Sequence, residues 1–203
     1  MIIIGLAGES GTGKTTIAAH LTTRGGGHIN TDIIGHEVLE GNDAVQKEIA
    51  SKISAEVFDA NGRINRRGLG AIVFNDPKAL EILGTIVHPR IRKICGRLVR
   101  DMTRAGLPFV VIDGALLLGS EMPFRWDAMI ALRCDEQTQF DRLMAKGGRT
   151  EEEVRQRLAS QRHIRDSFGK ADFVVDACRP LEDVMREIDR IVDDLLRKER
   201  DRG

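Results

Sequence analysis

Residues 8–15 read Gly-Glu-Ser-Gly-Thr-Gly-Lys-Thr, a Gly-x-x-x-x-Gly-Lys-Thr run that restricts the fold more than any other stretch of the chain. Such a run works between a buried strand and the first turn of a helix, where backbone N–H groups converge on phosphate. Both flanks are present. Ile2–Leu6 is a short apolar run, and Lys14 opens a helical pattern with Ile17, Ala18 and Leu21, stopped by Gly25-Gly26-Gly27. Each residue type has a task. Glycines let the backbone wrap close to phosphate oxygens, so Ser10, Gly11, Thr12, Gly13, Lys14, Thr15 and Thr16 are expected to hold the phosphates of ATP. Lys14 adds a point charge against the β- and γ-phosphates, and the Thr15 hydroxyl is a ligand for Mg²⁺. Glu9 would repel phosphate and is expected to turn its side chain to solvent.

Four more apolar runs read as strands: His28–Thr31 (weak), Phe109–Ile112, Ala128–Leu132 and Phe173–Val175. Near-continuous runs of this kind suit a parallel sheet covered on both faces. Between them lie helical signals. Asp76-Pro77 and His88-Pro89 place proline where a first helical turn tolerates it, and Thr150 with Glu153 has the capping-box spacing. Arg179-Pro180 opens a long last helix with Leu181, Val184, Ile188, Ile191, Val192 and Leu195 on one face, and the charged tail 197–202 is expected to fray. The expected fold is a three-layer α/β P-loop NTPase domain with a five-stranded parallel sheet. Residues 37–107 carry helical patterns and one weak extended candidate around Val57, so they read as a helical insertion that binds the acceptor. The core is then about 1–36, 108–135 and 166–203, with a small lid at about 136–165.

Composition narrows the class. Lys plus Arg and Asp plus Glu are 31 each, so no global basic field points to nucleic acid or a membrane surface. The apolar N-terminus is too short for a signal peptide or a span, which makes a cytoplasmic protein the expectation, monomeric or weakly homo-oligomeric. Cys95, Cys134 and Cys178 form no CxxC pair and read as reduced thiols.

Two carboxylates stand at strand ends, the ligand edge of a parallel sheet. Asp32 follows the second strand; there it can serve as general base toward an acceptor hydroxyl, or as N-cap of a helix starting at Ile33. Asp113 ends the third strand, where it is either a Walker-B type Mg²⁺ support or a plain loop residue. The stretch from Arg142 to Arg165 also carries Lys146, Arg149, Arg155, Arg157 and Arg162. A basic lid would stabilise transferring phosphate, whereas Glu151–Arg155 and Glu153–Arg157 pairing would make it a solvated helix. Arg142 and Arg149 are the expected phosphate contacts, with Lys146 next. His20, His28, His36 and His163 show no metal-ligand spacing and are expected to be structural or exposed.

The order of these features resembles the dephospho-coenzyme A kinase family over nearly the full length. Its glycine-rich loop resembles residues 5–16, and its Ile-Asp-Ala-Asp type motif resembles Ile29-Asn30-Thr31-Asp32. Asp59-Ala60-Asn61-Gly62-Arg63-Ile64-Asn65-Arg66, then Leu69, Val73 and Phe74, resemble its next segment, and Val87-His88-Pro89-Arg90-Ile91 its His-Pro-x-Ile element. In the lid, Gln139, Arg142, Arg157, Gln161 and Ala171-Asp172 correspond. The resemblance implies Asp32 as base toward a ribose 3′-hydroxyl, and Arg66 and His88 near dephospho-coenzyme A as the small-molecule partner. It implies Lys14 and Arg142 as catalytic cations, ATP and Mg²⁺ as cofactors, and the last step of coenzyme A biosynthesis as the function. The chain departs from the family pattern at Asp113-Gly114-Ala115-Leu116-Leu117-Leu118-Gly119, at Lys146 in place of arginine, and at Ala177-Cys178-Arg179 in place of an Asn-x-Gly turn. The alternatives are a P-loop kinase for another nucleoside, nucleotide or cofactor hydroxyl, and a non-catalytic nucleotide-binding module. The lack of an Asn-Lys-x-Asp guanine-reading motif argues against a GTPase.

Overall fold

The structure is a computed structural model describing residues 1–59, 62–115, 117–118 and 120–201, apart from the side chains of Arg67 and Phe74. Ala60, Asn61, Leu116, Gly119, the end of the charged tail and the Phe74 side chain therefore lie outside the described residues.

Two compact units make up the chain, residues 1–30 with 98–203 and residues 31–97. The first holds a five-stranded parallel sheet in the order β2-β3-β1-β4-β5. Its strands are β1 (Ile2–Ala7), β2 (Gly27–Asn30), β3 (Phe109–Gly114), β4 (Ala128–Arg133) and β5 (Phe173–Asp176). The register aligns Leu6 with Asp113 and with Ile130, and Asn30 with Asp113, so these strand ends share one edge. Ile2, Ile4, Leu6, Ile130 and Leu132 point to one face, where they pack on helices α1 (Lys14–Thr23) and the C-terminal Leu181–Arg200. On the other face Ala131 meets Ile164 and Phe168 of the 3₁₀ helix Arg162–Lys170. Burial of β3 at every position follows from this two-sided cover and explains why its sequence does not alternate.

Helix α2 (Thr31–Glu40) belongs to the second unit together with α3 (Asp43–Lys52), α4 (Arg66–Asn75) and most of α5 (Pro77–Arg104). Asn42 caps α3 through its side chain, Asn65 caps α4, and Pro77 occupies the first position of α5. Three expectations fail locally. Pro89 starts no helix; it lies inside the 28-residue α5, where its ring removes one backbone donor. The Arg90 guanidinium reaches back to the Ile86 carbonyl in that turn, and its other arm holds Glu48, which offsets part of the disruption. The extended candidate at Val57 is a 3₁₀ turn (Ala55–Val57) followed by a single bridge, Phe58 to Ile64. Leu181 is exposed, because the buried stripe of the last helix begins one turn later at Val184.

The segment between β4 and β5 is mostly helical, and one more helix follows β5. The segment holds α6 (Glu136–Lys146), α7 (Glu151–Gln161) and the 3₁₀ helix, and the helix after β5 is α8 (Leu181–Arg200). Thr150 and Glu153 form the reciprocal capping box at α7, and Arg155 pairs with Glu151 while lying over the Phe140 ring.

Candidate active site

Residues 8–13 leave β1 in a turn that only glycine can follow at its tightest points. Gly8 and Gly11 take φ of 149° and 82°, and a Cβ would lie 2.7 Å from the Leu132 carbonyl at Gly8 and 2.8 Å from the Gln139 carbonyl at Gly11. Gly13 caps α1 in the left-handed region, and no side chain caps that helix. The first turn of α1 thus opens directly from the loop, the arrangement that accepts an anion. Lys14, only 9% exposed, donates to the carbonyls of Gly8 at 2.7 Å and Glu9 at 3.0 Å. The ammonium is held inside the curl of the loop. Thr12 Oγ1 braces the turn by donating to the Glu9 carbonyl, whereas Thr15 and Thr16 are exposed. An arched backbone, a folded-back lysine and two open hydroxyls fit a polyphosphate with its divalent cation.

Glu9 corrects the expectation of a solvent-facing side chain. It is 1% exposed, and Arg165 Nε donates to both of its oxygens at 2.8 Å. Gln139 Nε2 adds a third hydrogen bond, from a second donor, at 3.1 Å. A buried carboxylate needs such company, and a guanidinium supplies charge and hydrogen bonds together. The bond to Glu9 holds the Arg165 pKa above its ordinary value. Among the described residues Gln139 Oε1 has no hydrogen-bond partner, since turning the amide over would set oxygen against the Glu9 carboxylate.

Around this pair the segment 135–170 grips the loop. Gln161 Oε1 accepts from the Ser10 N–H at 2.7 Å, Arg157 Nε donates to Ser10 Oγ at 2.7 Å, and Arg142 Nη1 donates to the Gly11 carbonyl at 3.4 Å. Arg142 Nη2 also donates to the Ala177 carbonyl at 2.9 Å, while Arg165 Nη2 and Gln139 Nε2 both reach the Cys134 carbonyl. Among the cations of this segment Arg142, Arg157 and Arg165 bond to the loop, whereas Lys146 and Arg149 are exposed beside Gly147 and Gly148. Spacing could not single out Arg165, because its partner Glu9 is 156 residues away.

Asp113 lies 1% exposed at the end of β3. His28 Nε2 bonds one of its oxygens at 2.8 Å and Asn30 Nδ2 donates to the other at 3.1 Å, both from the adjacent β2. The carboxylate is fixed in direction, which suits support of a hydrated cation.

The second unit holds the other three expected residues. Asp32 lies within the first turn of α2, which begins at Thr31, so it is not the N-cap of a helix starting at Ile33; its carboxylate is exposed. Arg66 opens α4 and pairs with Glu40 at 3.3 Å. His88 lies on α5 against Gly84, where a Cβ would sit 3.2 Å from its ring. Partial burial, then the charge of Arg92, lower its pKa.

The family model for dephospho-CoA kinase matches residues 2–183. A dephospho-CoA kinase of Listeria monocytogenes is 32% identical over 91% of this chain and 92% of its own. One from Corynebacterium efficiens is 31% identical over 97% and 98%. Among solved structures, a Thermus thermophilus protein superposes with TM-score 0.77 at 28% identity, covering 96% of this chain and 97% of that one. A dephospho-CoA kinase from Campylobacter jejuni gives 0.65 over 97% and 98%, and at 24% identity it speaks for the fold alone.

Proposed function

Because this chain belongs to the dephospho-CoA kinase family, we propose that it transfers the γ-phosphoryl group of ATP to the ribose 3′-hydroxyl of dephospho-CoA, the final step of coenzyme A biosynthesis. The family is one of ATP-using transferases. The observation that carries the reading is the glycine-rich loop with Lys14 curled inside it and with Arg142 and Arg157 bonded to the loop at Gly11 and Ser10.

Bound ATP supplies the phosphoryl group, and Mg²⁺ screens its charge. Ser10 to Thr16 hold the phosphates through backbone N–H groups and the start of α1. Lys14 exchanges its loop carbonyls for phosphate oxygens, so its charge reaches the site without a backbone change. The Thr15 hydroxyl and Asp113 are the residues that would hold the cation, Asp113 through its water shell. Arg142 faces the charge that builds as the phosphoryl group moves. Asp32 orients the acceptor hydroxyl and takes its proton on a carboxylate oxygen, while Arg66 and His88 bind the acceptor.

The test is a coupled assay of ADP release with Mg²⁺, ATP and a panel of hydroxyl acceptors. Dephospho-CoA should be the preferred acceptor, and Asp32→Asn should cut turnover by about a hundredfold or more while ATP still binds. Preferred phosphorylation of another nucleoside, or full turnover of Asp32→Asn, would overturn the substrate or the base respectively.

A further inference from the structure

Two of the three cysteines meet at the roots of the helical segment that grips the phosphate loop. Cys134 follows β4 and Cys178 follows β5, so residues 135–177 lie between them. Their Sγ atoms are 2.7 Å apart, about 0.7 Å beyond the bonded S–S distance of ~2.05 Å. Nothing in the proposed phosphoryl transfer uses either thiol.

The surroundings divide the labour between them. Cys178 is exposed, and its Sγ–H donates a hydrogen bond to Asp135 Oδ2 at 3.0 Å. Cys134 is buried beneath it, with Arg142 Nη1 3.9 Å from its sulfur. Burial, then the hydrogen bond with Cys178, push the Cys134 thiol up to about 12. The pair therefore has one accessible member and one buried beneath it. The third thiol, Cys95, is buried and pushed up to about 11 by that burial.

We propose that Cys134 and Cys178 form a reversible thiol–disulfide site for hydroperoxide-class oxidants, whose bond fastens the two roots of the segment 135–177. The thiolate form of Cys178 attacks one peroxide oxygen; the O–O bond breaks, the sulfur is oxidised to a sulfenic acid, and the departing hydroxide leaves as water. Cys134 sulfur then attacks Cys178 sulfur. The S–S bond forms, the S–O bond breaks, and the hydroxide takes the Cys134 proton as a second water. One hydroperoxide is reduced and two thiols are oxidised. Proximity makes the second step fast, so the sulfenic acid is short-lived.

Fastening matters because Arg142, Arg157, Gln161 and Arg165 all reach the loop from this segment. A bond closing a loop of this length restricts the unfolded chain, and it holds those four side chains to the strand ends in the folded one.

The full chain treated with one equivalent of hydrogen peroxide should lose two titratable thiols and keep Cys95. A non-reducing peptide map should join Cys134 to Cys178, and Tm should rise by about 5–10 °C. Dithiothreitol should reverse all of these changes, and Cys178→Ser should abolish them. The proposal is overturned if all three thiols survive, if Cys178 alone goes on to a sulfinic acid, if links pair Cys95 or two chains, or if the link forms with no rise in Tm. None of these readouts depends on which acceptor is phosphorylated.

Discussion

The phosphate-holding unit and the helical second unit treat their candidate residues in opposite ways. Around residues 8–15 the functional groups are already bonded, with Lys14 to loop carbonyls, Glu9 to Arg165 and Gln139, Ser10 to Arg157 and Gln161, and Asp113 to His28 and Asn30. In the second unit Asp32 stands exposed on the first turn of its helix, and Arg66 holds a half-exposed surface pair with Glu40. Polyphosphate is a fixed pattern of charge, so a site for it can be built and satisfied in advance. An acceptor hydroxyl needs an open carboxylate, and on the reading proposed above the exposed Asp32 meets that need.

Substitutions can break or sharpen this contrast. Lys14→Ala should have the largest effect, a fall in turnover of about a thousandfold, read by the ADP-release assay. Tm should change little, because the two hydrogen bonds the ammonium donates to Gly8 and Glu9 stay within the loop itself. Next, Glu9→Ala removes a buried carboxylate and strands Arg165. Breaking a buried pair costs about 3–5 kcal/mol, but Arg165 is partly open to solvent, so a loss of ~2 kcal/mol and a Tm lower by roughly 5 °C are expected by thermal denaturation. Glu9→Gln should recover part of that loss; equal stability of all three proteins would show that the pair does not hold the loop. Arg66→Ala should be smaller still in energy, about a tenfold rise in the KM for dephospho-CoA with the KM for ATP unchanged. Its surface pair leaves stability within ~0.5 kcal/mol. A matching rise in the KM for ATP would erase the division between the two units.

The smallest effect belongs to His88. Its pKa lies below the ordinary 6.5 through burial and the nearby Arg92. Between the lowered value and 6.5 the unfolded chain binds more protons than the folded one. Stability should therefore rise with pH through that window and fall as pH drops through it. His88→Asn should flatten this slope in denaturant titrations at a series of pH values.

Much of the first unit was legible because its signals are local. The loop glycines, the capping box at Thr150 and the apolar runs of β1, β3 and β4 each state their role within a few residues. What stayed hidden depends on distant partners. Glu9 reads as a repelling carboxylate until Arg165 lies beside it, and Cys134 and Cys178 read as scattered thiols until parallel strands bring their ends together. Pro89 misled for a related reason, since α5 continues through a residue that alone would begin or end a helix. Asp32 was legible as a strand-end carboxylate but not as a member of the first turn, because α2 follows β2 with no intervening loop residue.

The central claim is that phosphate held by the first unit is given to a hydroxyl of dephospho-CoA. Its most direct test is a single turnover with γ-labelled ATP, Mg²⁺ and dephospho-CoA, followed by assignment of the labelled position in the product. The account predicts label on the ribose 3′-oxygen of coenzyme A. Label appearing as free phosphate, or on a different hydroxyl, would contradict it.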